Sequence, residues 1–143
     1  MADEDEAVPP PPAGYQPLER RGGFSTLNGP YFHRPGEGET VEQAFYALKR
    51  HTNGLGLVHG GMLSTFMDSL LASAIHRGSG RVAVTIHLSV DFLHMARAGD
   101  WVEGEARMTR AARDVAFAEG RARVGATDVV RASGVFKLMG RRR

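Results

Sequence analysis

The sequence predicts an α+β domain in which one long helix is wrapped by a curved antiparallel sheet. Three patterns carry that expectation. Leu63, Phe66, Met67, Leu70, Leu71, Ala74 and Ile75 recur at i, i+3, i+4, i+7 spacing, which makes one apolar stripe on a helix. Val82, Val84, Ile86, Leu88, Val90 and Phe92 alternate strictly with Ala83, Thr85, His87, Ser89, Asp91 and Leu93, the period of a strand. Three further β-like runs follow through short turn-prone links, which only antiparallel neighbours permit.

In chain order, residues 1–23 read as a disordered acidic and proline-rich lead, with Pro9–Pro12 at its centre and too little apolar surface to offset ordering. The domain proper is expected over residues 24–140, and Arg141, Arg142 and Arg143 form a basic tail. Phe24–Pro35 reads as an ordered loop or short helix entering a strand near Tyr31–His33, with Tyr31 and Phe32 as core. Gly36–Glu39 is a turn, Val41–Lys49 a strand with apolar residues on both sides, and His51–Val58 a loop broken by Asn53-Gly54 and Gly56. The helix runs from Gly61 to about His76 and is stopped by Gly78-Ser79-Gly80. Strands are expected at Trp101–Arg110, Val115–Val124 and Val129–Met139.

One side of these last strands is small: Gly104 and Ala106, then Ala116, Ala118, Gly120 and Ala122, then Ala132 and Gly134. The other side carries Glu103, Glu105, Arg107, Glu119, Arg121 and Arg123. A sheet face without bulk can curl around the one bulky helix. Strand, strand, helix and four strands in that arrangement make the hotdog architecture.

Composition excludes several classes of function. No cysteine means no disulfide, thiolate metal site or cysteine nucleophile. His33, His51, His76, His87 and His94 show no metal-ligand spacing and read as surface or rim residues. A net charge of +2 and no nucleic-acid motif argue against a nucleic-acid partner. The apolar run at 63–75 is too short and interrupted to span a bilayer, and no signal segment opens the chain, so the expectation is a cytoplasmic protein.

His59-Gly60-Gly61 opens the helix, and Asp68 follows seven residues after Gly61. Asp68 lies about 110–120° from the middle of the apolar stripe, on the flank of the buried face. Helix N-terminal amides are pre-aimed donors for developing negative charge. Glycine at 60 and 61 lets a ligand approach the backbone closely. A carboxylate beside such an oxyanion site is a tool for breaking an activated acyl bond, and no Gly-x-Ser-x-Gly elbow offers a competing nucleophile.

The segment Asn53 to Asp68, with its upstream Asn, His-Gly-Gly helix entry and spaced Asp, resembles the hotdog-fold acyl-CoA thioesterases of the PaaI (phenylacetate-pathway) type. The resemblance extends as a strand pattern to about Met139. It implies hydrolysis of a CoA thioester to the free acid and CoA without metal or other cofactor. By resemblance Asp68 is the general base or nucleophile and the Gly60 N–H polarises the carbonyl. Asn53 helps to hold water or the thioester, and His59 supports the local geometry. Thr85 falls where relatives carry a site hydroxyl; Gly61, Thr65 and His87 are the expected substrate-facing residues, with Asp91 as further cleft lining.

A lone unit leaves a sheet edge and a helix flank open, so a homodimer is expected, with Asp68 of one copy facing Gly60 of the other. The family commonly forms a dimer of dimers, a homotetramer. Two alternatives share the fold. A non-catalytic acyl-CoA sensor module is disfavoured by the presence of Asp68, and a hydratase by the lack of its His-acid motifs.

Overall fold

A computed structural model of the chain describes residues 6–19 and 22–140. It contains seven strands and two α-helices: β1 (Gln16–Leu18), α1 (Gly23–Asn28), β2 (Tyr31–Pro35), β3 (Val41–Tyr46), α2 (Gly60–Ser79), β4 (Ala83–Phe92), β5 (Trp101–Ala111), β6 (Val115–Val124) and β7 (Thr127–Leu138). All strands belong to one antiparallel sheet in the order β1-β2-β3-β5-β6-β7-β4. The sheet wraps α2, and the predicted hotdog architecture is the observed one.

The core lies between α2 and the sheet. Phe66, Met67, Leu70, Leu71, Ala74 and Ile75 are fully buried there. The small-residue face explains how the sheet comes so close. A Cβ at Gly104 would stand 2.7 Å from Leu70 Cδ2 and 2.9 Å from Phe66 Cε2, so no side chain fits between β5 and the helix. On the opposite face, cross-strand ion pairs join Arg107 to Glu119 and Arg121 to Glu105, each at 2.9 Å, and Arg123 to Glu103 at 3.2 Å. Gly80, left-handed at φ 71°, caps α2 and donates its N–H to His76 O at 2.8 Å.

Three expectations need correction. The lead read as disordered is packed where the structure describes it. Tyr15 is buried edge-on against Trp101 at 5.1 Å between centroids, its hydroxyl donates to Glu103 at 3.0 Å, and Tyr46 donates to Pro10 O at 3.1 Å. The segment's own composition lacks apolar surface, and the sheet supplies it. Residues 1–5 and the basic tail at 141–143 lie outside the described residues.

The stripe Val82–Phe92 is not core along its length. Val82, Val84, Ile86 and Phe92 are 51–64% exposed, and within the stripe Leu88 and Val90 pack against the core. For Val82, Val84 and Ile86 the cause is a register shift between Thr85 and His87, whereas Phe92 shares the face of Leu88 and Val90 and lies over Gly60. An extra residue at that point flips the strand's faces, as a β-bulge does.

His51 is no surface residue. It is 3% exposed, accepting Leu48 N–H on Nδ1 at 3.0 Å and donating from Nε2 to Asn28 O at 2.7 Å. Burial pushes its pKa down.

Candidate active site

The site begins at the entry of α2. Val58 N–H donates to Ala96 O at 2.8 Å and His59 N–H to His51 O at 2.9 Å, pinning the loop before the helix to the segment after β4 and to the turn after β3. His59 is the N-cap, in extended backbone at φ −61° and ψ 137°. Its Nδ1 accepts the Gly61 N–H at 2.7 Å, so Nδ1 is bare and Nε2 carries the ring proton. A Cβ at residue 61 would stand 2.9 Å from that nitrogen, so the cap needs glycine there.

Met62 and Leu63 N–H groups both reach His59 O, at 2.9 and 3.1 Å. Among the described residues the Gly60 N–H alone of these first amides has no acceptor. The helix therefore presents one open donor at its positive end, and Phe92 Cζ would lie 3.3 Å from a Cβ at that position.

Farther along the same flank, Asp68 Oδ1 accepts the Thr85 hydroxyl at 2.6 Å. Thr85 reaches the helix because it sits before the bulge, paired with buried Phe136 on β7. Beyond the bulge the faces are reversed. His87 pairs with Val135 on the outer face, away from Asp68, and Asp91 is held outside in an ion pair with Arg131 at 3.1 Å. Neither faces the α2 flank, and Asp91 lines a cavity on the outer face instead.

Asn53 Oδ1 accepts the N–H groups of Leu55 and Leu57 at 2.9 and 3.2 Å, shaping the loop and leaving its amide nitrogen for other partners. Thr65 donates its hydroxyl to Gly61 O at 2.8 Å, which leaves that oxygen as an acceptor toward the flank. Gly61, Thr65 and Asp68 follow i, i+4, i+7 and share one side of α2.

A cavity of about 330 Å³ lies over this entry, with His59, Gly61, Met62 and Thr65 on its α2 side. A larger one, of about 550 Å³, opens on the outer sheet face between residues that include Asp91, Glu105, Arg107, Glu119, Arg121 and Arg131. Every arginine in that set is ion-paired to a neighbouring carboxylate, so the charge there is balanced.

The family model described as Thioesterase superfamily matches residues 55–130, more than half of the chain. The chain belongs to the thioesterase superfamily. The match contains His59, Gly60, Asp68 and Thr85. A Pseudomonas aeruginosa protein named as an esterase is 39% identical over 129 residues, covering 89% of this chain and 96% of its own. A phenylacetic acid degradation-related protein of Ralstonia eutropha JMP134, named as a thioesterase, shares the fold. Its TM-score is 0.67 at 27% identity, over 75% of this chain and 83% of that one.

A Streptococcus pneumoniae TIGR4 protein, named as a thioesterase and bearing coenzyme A, has TM-score 0.71 at 19% identity, over 79% and 91% of the two chains. Membership makes this thioesterase superfamily chain a thioester hydrolase, as the resemblance to the PaaI type implied. Among the described residues, no helix is long and apolar enough to cross a membrane.

The sequence reading missed what makes the site possible: the bulge at Ile86, Phe92 against Gly60, and buried His51 behind the loop. An aliphatic residue at a bulge looks like any other strand position, and no local pattern announces it.

Proposed function

We propose that the chain hydrolyses acyl-CoA thioesters in a site shared between two copies. Asp68 and Thr85 of one copy would face the Gly60 N–H of the other. The observation that carries this reading is the Thr85–Asp68 hydrogen bond of 2.6 Å on the same open flank as the acceptor-less Gly60 N–H.

Geometry argues for two copies. Eight residues of α-helix separate Gly60 from Asp68 along the axis by about 12 Å. A carbonyl that accepts one hydrogen bond while being attacked from the other side needs donor and carboxylate within roughly 7 Å. One chain cannot supply both to one carbonyl. A second copy can, and β4 offers it a place: an edge strand paired, among the described residues, with β7 alone and carrying exposed Val84 and Ile86. Unpaired, apolar edges are what native proteins cover.

In the proposed reaction the thioester oxygen accepts the Gly60 N–H, and the helix dipole stabilises charge as it develops. Asp68, steadied by Thr85, either takes a proton from the water that attacks the carbonyl carbon, or itself bonds to that carbon and forms a mixed anhydride that water then hydrolyses. The thiolate of CoA leaves and is protonated. The fold neighbour that holds coenzyme A supports the choice of thiol.

Thiol release from acyl-CoA tests the activity. Complementation tests the shared site: Asp68→Asn and Gly60→Pro proteins, each inactive, are mixed and allowed to exchange subunits. Random pairing then makes one intact site in half the dimers, restoring about a quarter of wild-type activity. No recovery on mixing, with exchange verified by mass, would sink the shared site.

A further inference from the structure

β4 touches both ends of the proposed site from within one chain. Thr85, near its start, reaches Asp68, and Phe92, its last residue, lies against Gly60. Seven positions separate the two, an odd number, so strict alternation would put them on opposite faces. The register shift between Thr85 and His87 adds one step and brings both to the helix side. Thr85 has a partner in the proposed chemistry; Phe92 has none there.

The backbone fixes where Phe92 stands. It pairs with Val130 on β7, and the N–H groups of Leu93 and His94 both donate to Val129 O, at 2.8 and 3.3 Å. So placed, its ring sets Cζ, Cε1 and Cε2 at 3.3, 3.6 and 3.8 Å from the point where a Cβ of residue 60 would stand. Ring and backbone are in direct contact, on the Cα whose N–H has no acceptor among the described residues.

Core packing does not account for this contact. Leu88 and Val90, on the same face, pack against the core, whereas Phe92 leaves 56% of its surface exposed. A phenyl ring carries no lone pair for the amide and fills space that water would otherwise take. Fewer waters beside a donor lower the local dielectric and strengthen its hold on an oxyanion. We infer that Phe92 is a positioning residue of the oxyanion site, its ring displacing water from one side of the Gly60 N–H and leaving the other side to the thioester oxygen. The inference rests on the thioesterase reading.

The test reads the amide directly. Exchange of the Gly60 proton with water is measured by NMR on the full chain for the wild type, Phe92→Ala, Phe92→Gln and Phe92→Leu. Exchange speeds up about tenfold in the alanine and glutamine variants and stays near the wild-type rate in leucine, which keeps the apolar bulk. With acetyl-, hexanoyl- and phenylacetyl-CoA, kcat and kcat/KM fall together by about tenfold in the same two variants, the mark of a contact that acts in the transition state. Leucine retains both, and native mass stays that of the wild type throughout.

Unchanged Gly60 exchange in the alanine and glutamine variants overturns the inference. So does a drop in native mass alongside the activity loss, since the ring would then be a contact between copies. Should Phe92→Ala fail to fold, glutamine against leucine carries the comparison, and exchange of Gly60 at the rate of a free peptide in the wild type refutes the inference without any variant. If the wild type releases thiol from none of the three substrates, the thioesterase reading fails separately, and the exchange rates still decide whether the ring screens the amide.

Discussion

Thr85 Oγ1 donates to Asp68 Oδ1 at 2.6 Å, and it does so because the chain gains one residue at Ile86. Without that bulge, Thr85 and His87 would share a face, as strict alternation requires. With it, Thr85 meets the helix and His87 leaves. Bulges concentrate where a strand must re-aim a side chain.

The pair should therefore behave as a unit in catalysis. Asp68→Asn lowers kcat by about 10²- to 10⁴-fold, the range of a positioned proton-transfer group. Thr85→Val lowers it by roughly 10- to 100-fold through loss of a hydrogen bond to a charged group. In the double variant the losses do not add. Steady-state kinetics of the three proteins decide this, and additive losses would separate the two residues.

Gly60→Pro removes the open amide, while its ring also meets Phe92, 3.3 Å from a Cβ there. Gly60 occupies the first helical position, where proline is tolerated, and His59 before it already holds the extended conformation that a following proline demands. Gly60→Pro should keep the helical circular dichroism while kcat falls about 10²- to 10³-fold. His59→Ala, by contrast, should cost about 1 kcal/mol of stability as a lost cap, and His59→Ser should recover it with activity intact. If serine fails to rescue activity, His59 has a chemical role.

Placing a charge on the open edge tests assembly. Ile86→Asp should shift the native mass toward monomer and abolish thiol release together, because a carboxylate on the edge opposes burial against a second copy. An active monomer would contradict a shared site.

His51 sets a pH dependence of stability. Burial lowers its folded pKa below the usual value near 6.5, so the unfolded chain binds the proton more readily. Its contribution is complete above about pH 6.5 and is lost as pH falls through that value toward the folded pKa. The melting temperature should drop on acidification from pH 7.5 to 5.5, and the drop should be shallower in His51→Gln. Equal slopes would remove His51 as the cause.

The close approach of sheet and helix predicts a steep size limit at residue 104. Gly104→Val drives atoms into Leu70 and Phe66 and should cost about 1–3 kcal/mol, seen as a lower midpoint in urea with unchanged slope. An unaltered midpoint would mean that β5 can retreat from α2.

The sequence by itself determined α2, the four strands after it and the spacing of the reactive groups. Seven apolar residues at helical period make α2, and small residues alternating with charged ones on β5 and β6 announce a sheet closed around it. His59-Gly60-Gly61 and Asp68 are set by their places in one helix, so their separation is known before any packing. Only the tertiary structure decided which face of β4 looks inward and which lone residues are buried. Alternation reports a period without its phase, and one inserted residue at Ile86 changes the phase with no trace in composition. His51 and the Pro9–Tyr15 segment took their places from surfaces folded by other parts of the chain, namely the α1 carbonyls and the aromatic shelf around Trp101. Local patterns carry no record of a distant partner, and the energy that orders these groups comes from that partner.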